Sequence, residues 1–129
     1  MGTRSTVKFY GEYDMNCIAS IYQQYDGYPE AVGYELAVFL KNINLVNGFG
    51  YGAKLGEVAN GMGCLASQYI AKIKVGVGGV YMVEPDNLQE WNYTVHWNDE
   101  AKDIEIGVFD YNNDFVFAGN RVEFLTFCI

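Results

Sequence analysis

The hydrophobic period of this chain changes twice along its length, and that change limits the fold to a mixture of sheet and helix. Thr3 to Tyr10 alternates, with Arg4, Thr6 and Lys8 on one face and Ser5, Val7 and Phe9 on the other, as a half-buried strand does. Gly11 to Asn16 reads as a turn and Cys17 to Tyr25 as a second β run, so the two predict a hairpin. Asp26-Gly27-Tyr28-Pro29 closes it. Pro29 suits the first position of a helix and Glu30 favours its dipole. From there Val32, Leu36, Phe39, Leu40 and Ile43 fall at helical spacing.

Asn47 to Asn60 carries four glycines and no periodicity, and reads as one long loop of the kind that is often functional. A second helix is expected from Gly61 to Lys74, with Met62, Leu65, Ala66, Tyr69, Ile70 and Ile73 as its stripe and Asn60 as N-cap. Gly76-Val77-Gly78-Gly79 breaks it, and the period returns to two. Val80 to Glu84, Trp91 to Asn98, Asp103 to Asp110 and Phe115 to Ala118 read as strands, with Tyr111 to Asp114 as a hairpin turn. The tail Glu123 to Ile129 reads as a further edge strand. The order ββααββββ, without repeat or linker, predicts one α+β domain over residues 1–129. Its layers would be a mainly antiparallel sheet of about six strands with both helices packed on one face.

The balance of 8 basic against 16 acidic side chains, a formal charge of −8, disfavours a nucleic-acid polymer or an anionic membrane surface as partner. A small anionic ligand stays compatible, because a few arginines and backbone amides can hold one against the net field. Cys17, Cys64 and Cys128 form no C-x-x-C pair and leave an odd count, which points to a reducing cytoplasm. The chain shows no signal-peptide pattern and no apolar run approaching the roughly 18 residues of a membrane helix. Met1-Gly2 with Thr6 fits a myristoylation pattern and Asn92-Tyr93-Thr94 a glycosylation sequon, but the first residues read better as a strand and nothing routes the chain to the secretory path.

Catalytic chemistry has little to work with. His96 is the one histidine, so most metal sites and His-paired dyads are excluded, and on the polar face of a strand it reads as a solvated side chain. Cys64 follows Gly61-Met62-Gly63 at a helix start, where a thiol is acidified, but small buried packing is the simpler account. No carboxylate pair stands out, and no catalytic residue, cofactor or metal is expected. The segment that stands out is Tyr22-Gln23-Gln24-Tyr25-Asp26-Gly27-Tyr28-Pro29, where tyrosines stack on flat groups and amides read hydrogen-bonding edges. Arg4 and Thr6 on the hairpin partner share its polar side. Asn60, Gly61, Met62 and Gly63 form a glycine-led helix start whose amides would hold an anion, or else allow close helix packing.

Four stretches, Met1 to Thr6, Ile21 to Tyr28, Ala59 to Ala66 and Gly78 to Tyr81, together resemble a family of small proteins encoded by phages and large DNA viruses. That resemblance implies no enzyme activity. In kind and size, though not in motif, the chain is also similar to the proteins that sequester nucleotide-derived immune signals, such as the cyclic ADP-ribose isomers of Thoeris defence. The expectation is therefore a non-enzymatic viral protein binding a small nucleotide-like ligand in the host cytoplasm as a homodimer or larger homo-oligomer. Tyr22, Gln24, Tyr25 and Tyr28 would meet a base, with Gln23 and Asp26 beside them, Arg4 would meet phosphate, and Asn60 to Gly63 would supply amides. A protein–protein inhibitor of a host factor is the alternative, and a small thiol hydrolase using Cys64 a further one.

Overall fold

Strands β1 (Ser5–Tyr10) and β2 (Cys17–Gln23) form the expected antiparallel hairpin in the computed structural model, which describes residues 2–129. Met1, the first residue of the myristoylation pattern, lies outside them. The chain then makes a wide π-helical turn at Pro29–Gly33 and continues as α1 (Tyr34–Lys41). All five residues of the expected stripe, Val32, Leu36, Phe39, Leu40 and Ile43, are buried. The expected long loop runs over residues 47–57, and its two ends are tied where β3 (Asn44–Val46) and β4 (Val58–Asn60) pair in parallel. Helix α2 (Gly61–Ile73) follows with Met62, Leu65, Ala66 and Tyr69 buried.

Beyond α2 come β5 (Val80–Met82), β6 (Trp91–Asn98), β7 (Asp103–Asp110) and β8 (Phe115–Asn120). The main sheet has the order β5-β2-β1-β6-β7-β8, antiparallel throughout except where β1 and β6 run parallel. This is the expected α+β architecture, with the helices on one face over a single core that includes Val7, Phe9, Ile21, Tyr93, Ile106 and Val108. Each such side chain taken wholly out of water contributes about 1.5–3 kcal/mol.

The tail departs from expectation. Arg121–Cys128 is a helix, α3, and not an edge strand. Its start is fixed by a reciprocal capping box: the Asn120 side chain accepts from the Glu123 amide at 2.9 Å, and the Asn120 amide donates to Glu123 Oε1 at 2.9 Å. Phe124 and Cys128 then enter the core beside α1, so that three helices cover the sheet where two were expected.

Arg121 ties α3 to α1. Its Nη1 donates to the carbonyls of Leu40 and Ile43 at 2.8 and 2.7 Å, and its Nη2 pairs with Asp103 at 2.8 Å. These contacts add a charged donor to the carbonyls at the end of α1, where the helix runs out of its own amides. Arg121→Leu is expected to lower the unfolding free energy by about 2–4 kcal/mol in urea denaturation. The exposed Lys102–Asp99 pair, broken in the same way, should show no comparable loss.

Candidate functional site

The face of the sheet away from the helices carries the polar side chains of β1, yet Thr6 and Lys8 on it are 0% and 4% exposed. The cause is the connection from β5 to β6. These strands stand on either side of β2 and β1, so residues 83–90 must cross both, and they do so over the helix-free face as a strap. The Val83 amide donates to the Ser20 carbonyl at 2.9 Å and the Ser20 hydroxyl donates to the Glu84 carbonyl at 3.2 Å. Lys8 Nζ donates to the Asn87 carbonyl at 2.7 Å.

Beneath the strap lies a buried polar network. Lys8 Nζ also donates to Thr6 Oγ1 at 3.0 Å, and the Thr6 hydroxyl donates to Asn92 Oδ1 at 2.7 Å. Asn92 is 2% exposed and fully engaged: Oδ1 also accepts from the Gln89 amide at 2.9 Å, while Nδ2 donates to the carbonyls of Gln89 and Asp110 at 2.9 and 3.1 Å. The parallel register of β1 on β6, with Thr6 opposite Asn92 and Lys8 opposite Thr94, puts these groups side by side.

Between strap and sheet is a cavity of about 490 Å³, walled by Lys8, Tyr10, Thr94, His96 and Phe109 from the sheet and by Pro85, Asp86 and Leu88 from the strap. Gly107 shapes one wall. A Cβ there would come within 2.6 Å of Thr94 Oγ1 and 3.1 Å of Phe109 Cε1, so the missing side chain lets the Phe109 ring lie across β7. His96 pairs with Glu105 on β7, Nε2 to Oε1, at 3.4 Å.

Lys8 gives the cavity its character. An ammonium has three donors; two end on Thr6 and Asn87, and the third is left for the cavity that Lys8 lines. No carboxylate lies within ion-pair distance of it among the described residues. Burial pulls the Lys8 amine below its ordinary value, while nearby Cys17 and Asp86 act in the opposite direction. Burial likewise pushes the Tyr10 hydroxyl and the Cys17 thiol up. An ammonium with no carboxylate in contact, at the wall of a cavity, favours an occupant bearing an anionic or strongly accepting group, against the opposing charge of Asp86 on the strap.

The residues singled out from sequence are distributed over four places. Thr6, Tyr22 and Gln24 share the helix-free face, where the Tyr22 hydroxyl donates to Gln24 Oε1 while its ring packs against Tyr81. Arg4, just before β1, donates its amide to Glu90 of the strap at 3.4 Å. Gln23 points the other way, into the core, where its Nε2 donates to the Tyr69 hydroxyl at 3.0 Å. Tyr25 and Tyr28 stand exposed at the corner before the π-helical turn, with Asp26 at φ +57° between them.

Asn60, Gly61, Met62 and Gly63 lie at the far end of α2, whose 13 residues span about 20 Å. Asn60 does not cap the helix with its side chain; it accepts from the Gly48 amide at 2.7 Å. The helix start already holds an anion, the Glu12 carboxylate from the β1–β2 turn, which accepts from the Met62 amide at 2.8 Å. A wider cavity of about 630 Å³ beside it is bordered by Glu12, Tyr13, Gly61, Trp97 and Asp99. Its charged lining groups, Glu12 and Asp99, are carboxylates, which suit an anion poorly.

Cys64 and His96 are not brought together. The Cys64 thiol, on α2, receives a hydrogen bond from Gln68 Nε2 at 3.4 Å, whereas His96 lies across the sheet from the helices. Among the described residues no three or more His, Cys, Asp or Glu side chains gather as a metal site would require, and no helix is long and apolar enough to cross a membrane. Lys8, Asn92, Thr94 and His96 were not singled out as a group from sequence. Their signal was present in the polar alternation of β1 and β6, but nothing local says that the two strands are neighbours. No family model, no curated protein and no solved structure matches this chain.

Proposed function

We propose that this chain is a non-enzymatic binding protein that holds a small nucleotide-like ligand in the cavity between strap and sheet. The observation that carries the reading is Lys8: a buried ammonium, two donors fixed by the protein, facing no carboxylate at contact distance. Its third donor would meet a phosphate or carbonyl oxygen of the ligand. The rings of Tyr10 and Phe109 offer apolar surface for a planar group, and Thr94 and His96 offer polar edges. In a chain of net charge −8, this cation is also where an anion escapes the general repulsion. Sequestration of a nucleotide-derived signal by a viral protein adds to this the motif resemblance described above, and it moves the ligand from the Tyr22–Tyr28 corner to the Lys8 cavity.

Calorimetry with cyclic ADP-ribose isomers and with cyclic di- and trinucleotides tests it, on the wild type and on Lys8→Met. At least one of these ligands should bind the wild type, and Lys8→Met should weaken that binding tenfold or more, about 1.4 kcal/mol. Binding of none of them below millimolar concentration, or equal binding by both proteins, would sink the proposal.

A further inference from the structure

The two edges of the main sheet are unequal. On one side β5 is three residues long and the strap leaves from its end. On the other, β8 runs for six residues, Phe115–Asn120, without a proline or a charged side chain. Short length, lysines, prolines and bulges are the usual devices that keep a sheet edge from pairing with another strand. Strand β8 has one of them, a register shift between Val108 and Phe109 that leaves Val116 as the extra residue. From Phe117 onward the ladder on β7 is regular, and among the described residues the outer side of β8 carries no partner strand.

The side chains around this edge are apolar and open. Phe115 is 67% exposed, and Val122 on the adjoining α3 is 75% exposed. Residues 115–129 contain two charged side chains, and both are used internally: Arg121 by Asp103 and the end of α1, Glu123 by the capping box. This edge is therefore neutral on a chain of net charge −8.

We propose that β8 is a self-association edge, along which two copies of this chain pair their β8 strands antiparallel about a twofold axis. Two considerations select a second copy over a foreign strand. A basic partner would be drawn to the acidic faces and gain nothing from a neutral edge. A second acidic copy is repelled over most of the surface, and the β8 edge lets it approach without bringing free carboxylates together. Antiparallel pairing of identical strands is also self-complementary, so each copy supplies the ladder the other lacks and the assembly closes at two. Because the Phe115 ring packs edge-on against Phe109, a wall of the Lys8 cavity, the pairing would extend the helix-free face beyond that cavity.

Sedimentation velocity and light scattering over a wide range of protein concentration test this independently of any ligand. The wild type should show a concentration-dependent species of twice the 14.5 kDa chain mass. Ala118→Lys, at an exposed edge position, should raise the dimer dissociation constant about tenfold or more with unchanged circular dichroism. Phe115→Lys should do the same and stands in if Ala118→Lys fails to fold. Met82→Lys on the opposite edge should leave the dimer intact. A wild type that stays monomeric, a dimer that survives both β8 substitutions or is lost with Met82→Lys, or open-ended polymers would each overturn the proposal.

Discussion

Above pH 10 the domain is expected to lose stability steeply, because three core groups resist giving up their protons. Tyr69 and Tyr93 are 1% and 0% exposed, and burial pushes both hydroxyls well above the ordinary phenol range. Each also has a hydrogen-bond partner, Tyr69 accepting from Gln23 and Tyr93 donating to the Gly27 carbonyl at 2.7 Å. Burial pushes the Cys128 thiol up to about 12. All three are acids whose folded pKa lies above the unfolded one. Their contribution is intact below the unfolded values and lost as pH rises through the window between unfolded and folded values, where only the unfolded chain has released its proton. Each group removes up to about 1.4 kcal/mol per pH unit there. Together they remove about 4 kcal/mol per unit above pH 10, enough to unfold an ordinary domain of about 5–15 kcal/mol within a few units. The buried Lys8 amine works the other way, its folded value lying below the unfolded one, so stability recovers as pH rises through that interval. That recovery ends near the ordinary lysine value of about 10.4, as the loss takes hold. Denaturant titrations at stepped pH should trace the fall, and tyrosinate absorbance should rise in two phases. The second phase belongs to Tyr69 and Tyr93 and coincides with unfolding. One smooth phase with stability unchanged into the same range would refute the account.

What was legible from sequence was what local periodicity encodes. The stripe from Val32 to Ile43 and that of α2 could be read because a helix repeats its buried face within a few residues, and β1 announced Val7 and Phe9 in the same way. Helix α3 was misread because Phe124, Leu125, Thr126 and Phe127 have strand-like composition; the stronger signal was Asn120 with Glu123 three residues later. The Tyr22–Tyr28 cluster is contiguous in sequence but alternates in space, so that Tyr22 and Gln24 face one side of the sheet and Gln23 the other. The Lys8 cavity depends on a partnership between residues 86 positions apart, Thr6 with Asn92, and on a strap whose path follows from strand order alone. Neither leaves a local pattern. For the same reason the anion at the start of α2 could not be foreseen as Glu12, which comes from another turn.

Asn92→Leu should be the most damaging single substitution at the site, costing about 4 kcal/mol in denaturant unfolding. Its side chain makes four hydrogen bonds, to Thr6, to both backbone groups of Gln89 and to the Asp110 carbonyl. A leucine of similar size replaces none of them, and each buried partner left without a bond costs about 1–3 kcal/mol. Because two of the four hold Gln89, the loss should appear first as release of the strap, read as faster proteolytic cleavage within residues 83–90. Lys8→Met offers the contrast. It removes the ammonium together with its desolvation penalty, and exchange of a buried charge for an apolar chain of like length is often close to neutral. It leaves the Asn87 carbonyl and Thr6 Oγ1 without that donor, while the Thr6 hydroxyl keeps its bond to Asn92, so the net change should stay within about 1 kcal/mol. The pair separates architecture from binding: Asn92→Leu loses the strap and with it the cavity, whereas Lys8→Met keeps the fold and loses the ligand. Equal destabilisation by both would mean that Lys8 serves chiefly to fasten the strap, and the binding role assigned to its third donor would fall.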